Sequence, residues 1–131
     1  MTGHVYFIAA PSLCMTKIGF TSHAVELRLK SLRAGSPAPL ELIAWGVGGR
    51  EYERAFHEVF AASWSHGEWF RTTFEMVVAR KAIGFGGDLR AVINPADYTR
   101  GIFAAHVLAG VDSERVRALD PSHIPSWVSK A

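Results

Sequence analysis

The hydrophobic pattern changes period repeatedly along the chain, and each change marks an element. Val5 to Ala10 is a run of β-branched, aromatic and small apolar residues closed by Pro11-Ser12, which predicts a strand leading into a loop. Thr16 to Thr21 reads as a second strand. Side chains alternate across a strand, so Tyr6 and Ile8 oppose Val5 and Phe7, while Lys17 and Gly19 oppose Ile18 and Phe20. If the two strands pair as an antiparallel hairpin, Tyr6 and Lys17 share a face.

Beyond Thr21-Ser22, either of which could cap a helix, Val25, Leu29 and Leu32 recur at spacings of four and three, the period of an amphipathic helix over Ala24 to Ala34. Arg28 lies on the border of that stripe. Gly35-Ser36-Pro37-Ala38-Pro39 stops the helix, and Leu40 to Trp45 has the length and apolar content of a third strand. From Arg50 the pattern turns helical again, with Tyr52, Phe56, Val59 and Phe60 on one stripe. Glu53 and His57, four apart, form a ladder beside it. Ser65 to Phe70 reads as a tight turn into a short aromatic stretch, and Thr73 to Ile83 as another helix broken by Gly84-Phe85-Gly86-Gly87.

The tail has a different texture. Asn94-Pro95 suggests a cap, followed by a helix with Tyr98, Ile102, Ala105 and Ala109 on one side. A short helix from Asp112 or Ser113 would carry Val116 and Leu119 and offer Arg115 and Arg117, while Pro121 and Pro125 keep Trp127 out of regular structure. Two short helices joined at Gly110 resemble a helix-turn-helix. Glu114 and Asp120 oppose phosphate there, so a helical cap or a homodimer contact ranks ahead of DNA reading.

Composition narrows the class. The 131 residues, 49% hydrophobic and 20% charged, suit one folded domain able to bury a core. The net charge is only +2, but the first fifty residues hold Lys17, Arg28, Lys30, Arg33 and Arg50 against Glu26 and Glu41. That bias favours a polyanionic partner near those elements, although an ordinary solvated surface could also carry it. Cys14 is the single cysteine. An internal disulfide is therefore excluded and a reducing, cytoplasmic setting is expected. No apolar run reaches membrane-spanning length, and Met1 to His4 lacks the start of a secretory signal, so no membrane association is expected. The six histidines have no Cys/His zinc spacing.

Several pieces now combine. Val5-Tyr6, then Lys17-Ile18-Gly19, Arg28-Leu29, Glu53-x-x-Phe56-His57-x-x-Phe60 and Gly67-Glu68-Trp69-Phe70 occur in one order at compatible spacings. Together they resemble the GIY-YIG nuclease superfamily, and its phage-type branch in particular, over about residues 3 to 82. The resemblance implies an α+β fold, a small three-stranded antiparallel sheet flanked by helices, with residues 1–82 as the catalytic module; the tail pattern adds 83–131 as a helical C-terminal extension expected to pack on the same domain. It further implies a metal-dependent DNA endonuclease using one divalent ion, Mg²⁺ or Mn²⁺. By position Tyr6 matches the tyrosine that assists deprotonation of the attacking water, Arg28 the arginine that steadies the phosphate, and Glu53 the metal-holding carboxylate. Lys17 stands in place of the second motif's tyrosine, and His4 in place of a glycine.

Elementary chemistry suits these assignments. Phosphodiester hydrolysis needs an activated water and neutralised non-bridging oxygens. Glu53 is a hard oxygen ligand of the kind Mg²⁺ takes, and Arg28 can grip a phosphate bidentately. A phenol with a pKa near ~10 is a poor base, so a neighbouring cation would help it. Lys17, across the hairpin, is the expected cation. His57 is divided between a hydrogen-bonded core histidine and a catalytic role, and Lys30 and Arg33 are candidate DNA contacts. Two other functions remain open: a non-catalytic nucleic-acid-binding module that keeps the fold, and a protein-interaction domain around Trp127.

Overall fold

The computed structural model describes residues 3–93 and Pro95. The tail elements expected from Tyr98 onward, with Arg115, Arg117 and Trp127, lie outside the described residues, as does Asn94 of the expected cap. The described part is a single mixed sheet with helices on both faces.

Strands β1 (Gly3–Ala10) and β2 (Met15–Thr21) form the expected hairpin. Between them Pro11–Leu13 makes one 3₁₀ turn, and Cys14 closes it in the left-handed region at φ 53°, its N–H reaching the Pro11 carbonyl at 3.2 Å. This turn fixes the register: Ala10 lies opposite Met15, which places Ile8 opposite Lys17 and Tyr6 opposite Gly19. Helix α1 (Val25–Ala34) follows, with Ala24 rather than Thr21 or Ser22 at its N-cap and no side-chain cap. Strand β3 (Glu41–Gly48) returns antiparallel along the other side of β1, and α2 (Arg50–Val59) leaves from Gly49.

A hairpin of two three-residue strands comes next, β4 (Trp64–His66) and β5 (Trp69–Arg71), and β5 pairs with the first half of β2. Helix α3 (Phe74–Ile83) starts at Thr73, whose hydroxyl accepts the Met76 N–H at 3.2 Å. Gly84 ends it, and the chain then forms β6 (Phe85–Asp88), parallel to β3.

The strand order is β4-β5-β2-β1-β3-β6, with the first four neighbouring pairs antiparallel and the last, β3 with β6, parallel. The expected three-stranded antiparallel sheet is thus corrected to a six-stranded mixed sheet with three helices, although the α+β class holds. The three expected strands are its middle. The others escape a periodicity reading because β4 and β5 are too short to alternate and β6 is half glycine, a composition that reads as a break. Phe85–Asp88, beyond residue 82, therefore belong to the same sheet.

Strand β1 is buried on both faces, which explains its unbroken apolar run. Val5, Phe7 and Ile18 pack with Phe56 and Val59 of α2 and with Met76 and Ile83 of α3. Phe7 meets Phe56 edge-on at 5.2 Å. On the other face Tyr6, Ile8 and Ala10 pack with Val25 and Leu29 of α1 and with Leu40. Among the described residues, no helix is long and apolar enough to cross a membrane.

Candidate functional site

Tyr6 points to the α1 side from the middle of the sheet. Its ring fits there because its cross-strand partner is Gly19; a Cβ at that position would collide with the phenol. The hydroxyl is 1% exposed with the rest of the residue and accepts the Arg28 Nε–H at 3.3 Å. Arg28, four residues before Leu32 on the edge of α1, is itself exposed. Its Nε serves Tyr6, and its terminal nitrogens have no protein partner among the described residues. Burial pushes the Tyr6 hydroxyl above its ordinary value; Arg28 opposes the rise, while the carboxylates of Glu68 and Glu53 add to it. Tyr6, in return, strengthens the hold of Arg28 on its proton.

Lys17 shares that face, one pair further along the hairpin, opposite Ile8 and beside Trp69. Its ammonium pairs with Glu68 at 3.1 Å and lies 5.7 Å from the centre of the Trp69 ring. It is not among the charges that move the Tyr6 hydroxyl. The cation that was expected from Lys17 is supplied by Arg28, because the hairpin register puts glycine, not lysine, opposite the phenol.

Glu53 approaches from α2, on the opposite face of the sheet, where β5 stops covering β2. The Ile18 N–H still meets the Glu68 carbonyl at 3.0 Å, but the Ile18 carbonyl is met by a side chain, His57 Nε2, at 2.7 Å. A carbonyl can only accept, so Nε2 carries the hydrogen and Nδ1 is the lone-pair nitrogen of the neutral ring. Phe70 holds the imidazole edge-on at 5.0 Å. Glu53 lies one turn before His57 on the helix. Burial raises its carboxyl above the usual range, and Glu68 raises it further; His57, Arg50 and Lys17 pull the other way.

Tyr6, Arg28, Glu53 and Glu68 are thus linked electrostatically from β1, α1, α2 and the β4–β5 turn, and Lys17 and His57 join them through Glu53. Lys30 and Arg33 do not join them. Lys30 lies two residues from Arg28, hence on the far side of α1, and is exposed. Arg33 spends Nε and one terminal nitrogen on the Leu40 carbonyl, at 3.2 and 3.1 Å, bracing the turn into β3. Glu68 lies in the stretch read as a tight turn. Its ion pair with Lys17 follows from β5 pairing with β2, which three residues of sequence do not announce.

Among the described residues, no three or more His, Cys, Asp or Glu side chains converge to hold a metal ion. That leaves Glu53 as one carboxylate donor with a second carboxylate near enough to disfavour its ionisation. Such a donor set fails for zinc. It fits a hard ion that keeps several waters and takes its remaining oxygens from a substrate phosphate, as Mg²⁺ does.

The family model that matches the chain is the T5orf172 domain, over residues 3–83. No curated protein and no solved structure matches the chain significantly. The assignment to the GIY-YIG superfamily is therefore corrected: the family matched is a different one, and the strand-rich sheet departs from the three-stranded fold that the resemblance implied. The chain belongs to the T5orf172 domain family, which is associated with nuclease and DNA-interacting activity, in keeping with a nucleic-acid-related role.

Proposed function

We propose that this T5orf172-domain chain hydrolyses phosphodiester bonds in DNA, with one Mg²⁺ or Mn²⁺ ion held at Glu53, in a reducing cytoplasmic setting. The observation that carries the proposal is the exposed Arg28 held on the Tyr6 hydroxyl at 3.3 Å, with Glu68 and Glu53 near enough to act on the same hydroxyl. This supports a phosphate seat beside a metal-ligating carboxylate, with His57 one turn along α2 from Glu53.

The roles follow from the geometry. Arg28 offers its terminal nitrogens to two non-bridging oxygens, a bidentate grip that neutralises phosphate charge. Tyr6 is a positioning residue: burial raises its hydroxyl above the ordinary value, which disfavours the phenolate, and it orients Arg28 through Nε. His57 Nδ1 accepts a proton from the attacking water, with the ring locked in the required tautomer by Ile18. Lys17 neutralises Glu68 and keeps that carboxylate at the edge of the site. When bound, the metal ion supplies Lewis-acid polarisation of the phosphoryl oxygens.

One observation favours a second reading, a nucleic-acid-binding module without chemistry. Tyr6 is shut away from solvent, and the Lys17 ammonium is already paired. Nicking of supercoiled plasmid with Mg²⁺ or Mn²⁺ decides between the two. Loss of nicking in Glu53→Ala and Arg28→Ala supports the nuclease, whereas equal background in wild type and both variants, with DNA still bound, supports the binder.

A further inference from the structure

The sheet face beside the Tyr6–Arg28 pair continues into aromatic surface that the chemistry above does not use. Trp45 of β3 lies directly opposite Tyr6, and Phe85 of β6 lies in register with Trp45. Trp45 is partly buried against the α1-side cluster. Its indole is held edge-on by His4 at 5.2 Å, and His4 is itself anchored through Nδ1 to the His23 carbonyl at 3.0 Å. On its other side the indole lies close over β6: a Cβ at Gly86 would stand 3.3 Å from it, and the backbone there has φ +85°. Phe85 is 67% exposed and Val47, opposite His4, is 48% exposed. A fixed indole thus sits between a buried phenol under an arginine and an open apolar edge.

We infer that the edge of this face, from Trp45 to Phe85, is a stacking platform for an unpaired nucleobase whose phosphate is seated on Arg28, above the buried Tyr6. The inference deepens the DNA reading given above and rests on it. Paired side chains on neighbouring strands stand roughly 5 Å apart, so a base over Trp45 and a phosphate on Arg28 are within the reach of one nucleotide. Aromatic side chains beside cations are how single strands are held without sequence readout, because every base presents a π face. The charge is complementary, since the exposed Arg28 lies at the Tyr6 end, where Lys17 offsets the carboxylate of Glu68 at 3.1 Å. The carboxylate at the far end, Asp88, carries Arg90 at 3.3 Å. The platform is continuous with the site and pre-organised by His4 and Gly86. The substrate class that follows is DNA that is single-stranded or locally opened, not fully stacked duplex.

The test is equilibrium binding by the full chain, with EDTA present so that cleavage plays no part. A short labelled thymidine strand is compared with the same strand lacking its central bases. The intact strand should bind roughly tenfold tighter than the abasic one. It should also quench the emission of Trp45, read as the difference between wild type and Trp45→Phe. Phe85→Ser, at an exposed position, should shrink the tenfold difference. Equal affinity for both strands, or binding with Trp45 emission unchanged, overturns the platform and leaves the phosphate seat standing. Binding of neither strand, with Arg28→Gln indistinguishable from wild type, overturns the DNA reading itself. Failure of acrylamide to quench Trp45 in the free chain also overturns the platform. It would mean that the face is covered, by residues 96–131 if the protection is independent of concentration and by a second copy if it grows with concentration.

Discussion

Arg28 donates its Nε–H to the Tyr6 hydroxyl across 3.3 Å, an exposed cation resting on a buried phenol. The pair is a lever on both groups, since each favours the charged state of the other. Removing the cation therefore has a defined sign. In Arg28→Met the Tyr6 phenol should ionise at higher pH than in wild type, because burial and the two carboxylates are left unopposed. Lys17→Met should leave that titration where it is. Alkaline difference absorbance against Tyr6→Phe measures both, and an upward shift in Lys17→Met alone would reverse the assignment.

Gly19 makes room for that phenol, and alanine there is expected to cost more than an ordinary strand substitution. The added Cβ collides with the Tyr6 hydroxyl end, so the ring must leave its place under Arg28. A destabilisation of about 1–3 kcal/mol is expected from overpacking. Urea melts give that number, and the double variant Gly19→Ala/Tyr6→Leu should recover part of it by removing the ring atoms that the Cβ meets.

Glu53 couples stability to pH. Its carboxyl is raised in the folded chain, so between the ordinary glutamate range and the raised value the native state binds more protons than the unfolded one. Stability from this group is complete below the ordinary value and declines as pH rises through the folded one. Glu53→Gln should accordingly melt slightly higher than wild type at neutral pH and equally at pH ~4, the group being half exposed and the effect small. Mg²⁺ should raise the melting temperature of wild type and not that of Glu53→Gln. Thermal scans at two pH values, with and without the ion, test both statements.

Arg80 is a cost carried by α3. It is buried against β3, its Nε has no hydrogen-bond partner among the described residues, and burial lowers its pKa to about 10 with only Glu41 opposing. Arg80→Met keeps the apolar stem and removes the buried charge. It should stabilise the chain by about 1 kcal/mol at neutral pH, and a fall in the urea midpoint would show that the guanidinium is satisfied after all.

Much of the fold was legible in the sequence because the long elements keep a clean period. The α2 stripe of Phe56, Val59 and Phe60 and the unbroken run of β1 each report their own burial. Alternation also put Tyr6 and Lys17 on one face. It could not give their register, which depends on how many residues the turn consumes, and Cys14 in the left-handed region settles that. Hence the phenol found glycine opposite it and arginine above it. Glu68 and Trp45 were missed for the same reason: their places depend on which strands pair, and β5 and β6 are too short or too glycine-rich to declare themselves. Charges alone pointed to Lys30 and Arg33, but helix phase turns one away and a carbonyl claims the other.

The imidazole of His57 fastens α2 to the main chain of β2, since the acceptor at 2.7 Å is the Ile18 carbonyl and not a side chain. No exchange of side chains along β2 can delete that acceptor, so the fastening depends on position 57 alone and tolerates drift in the strand it grips.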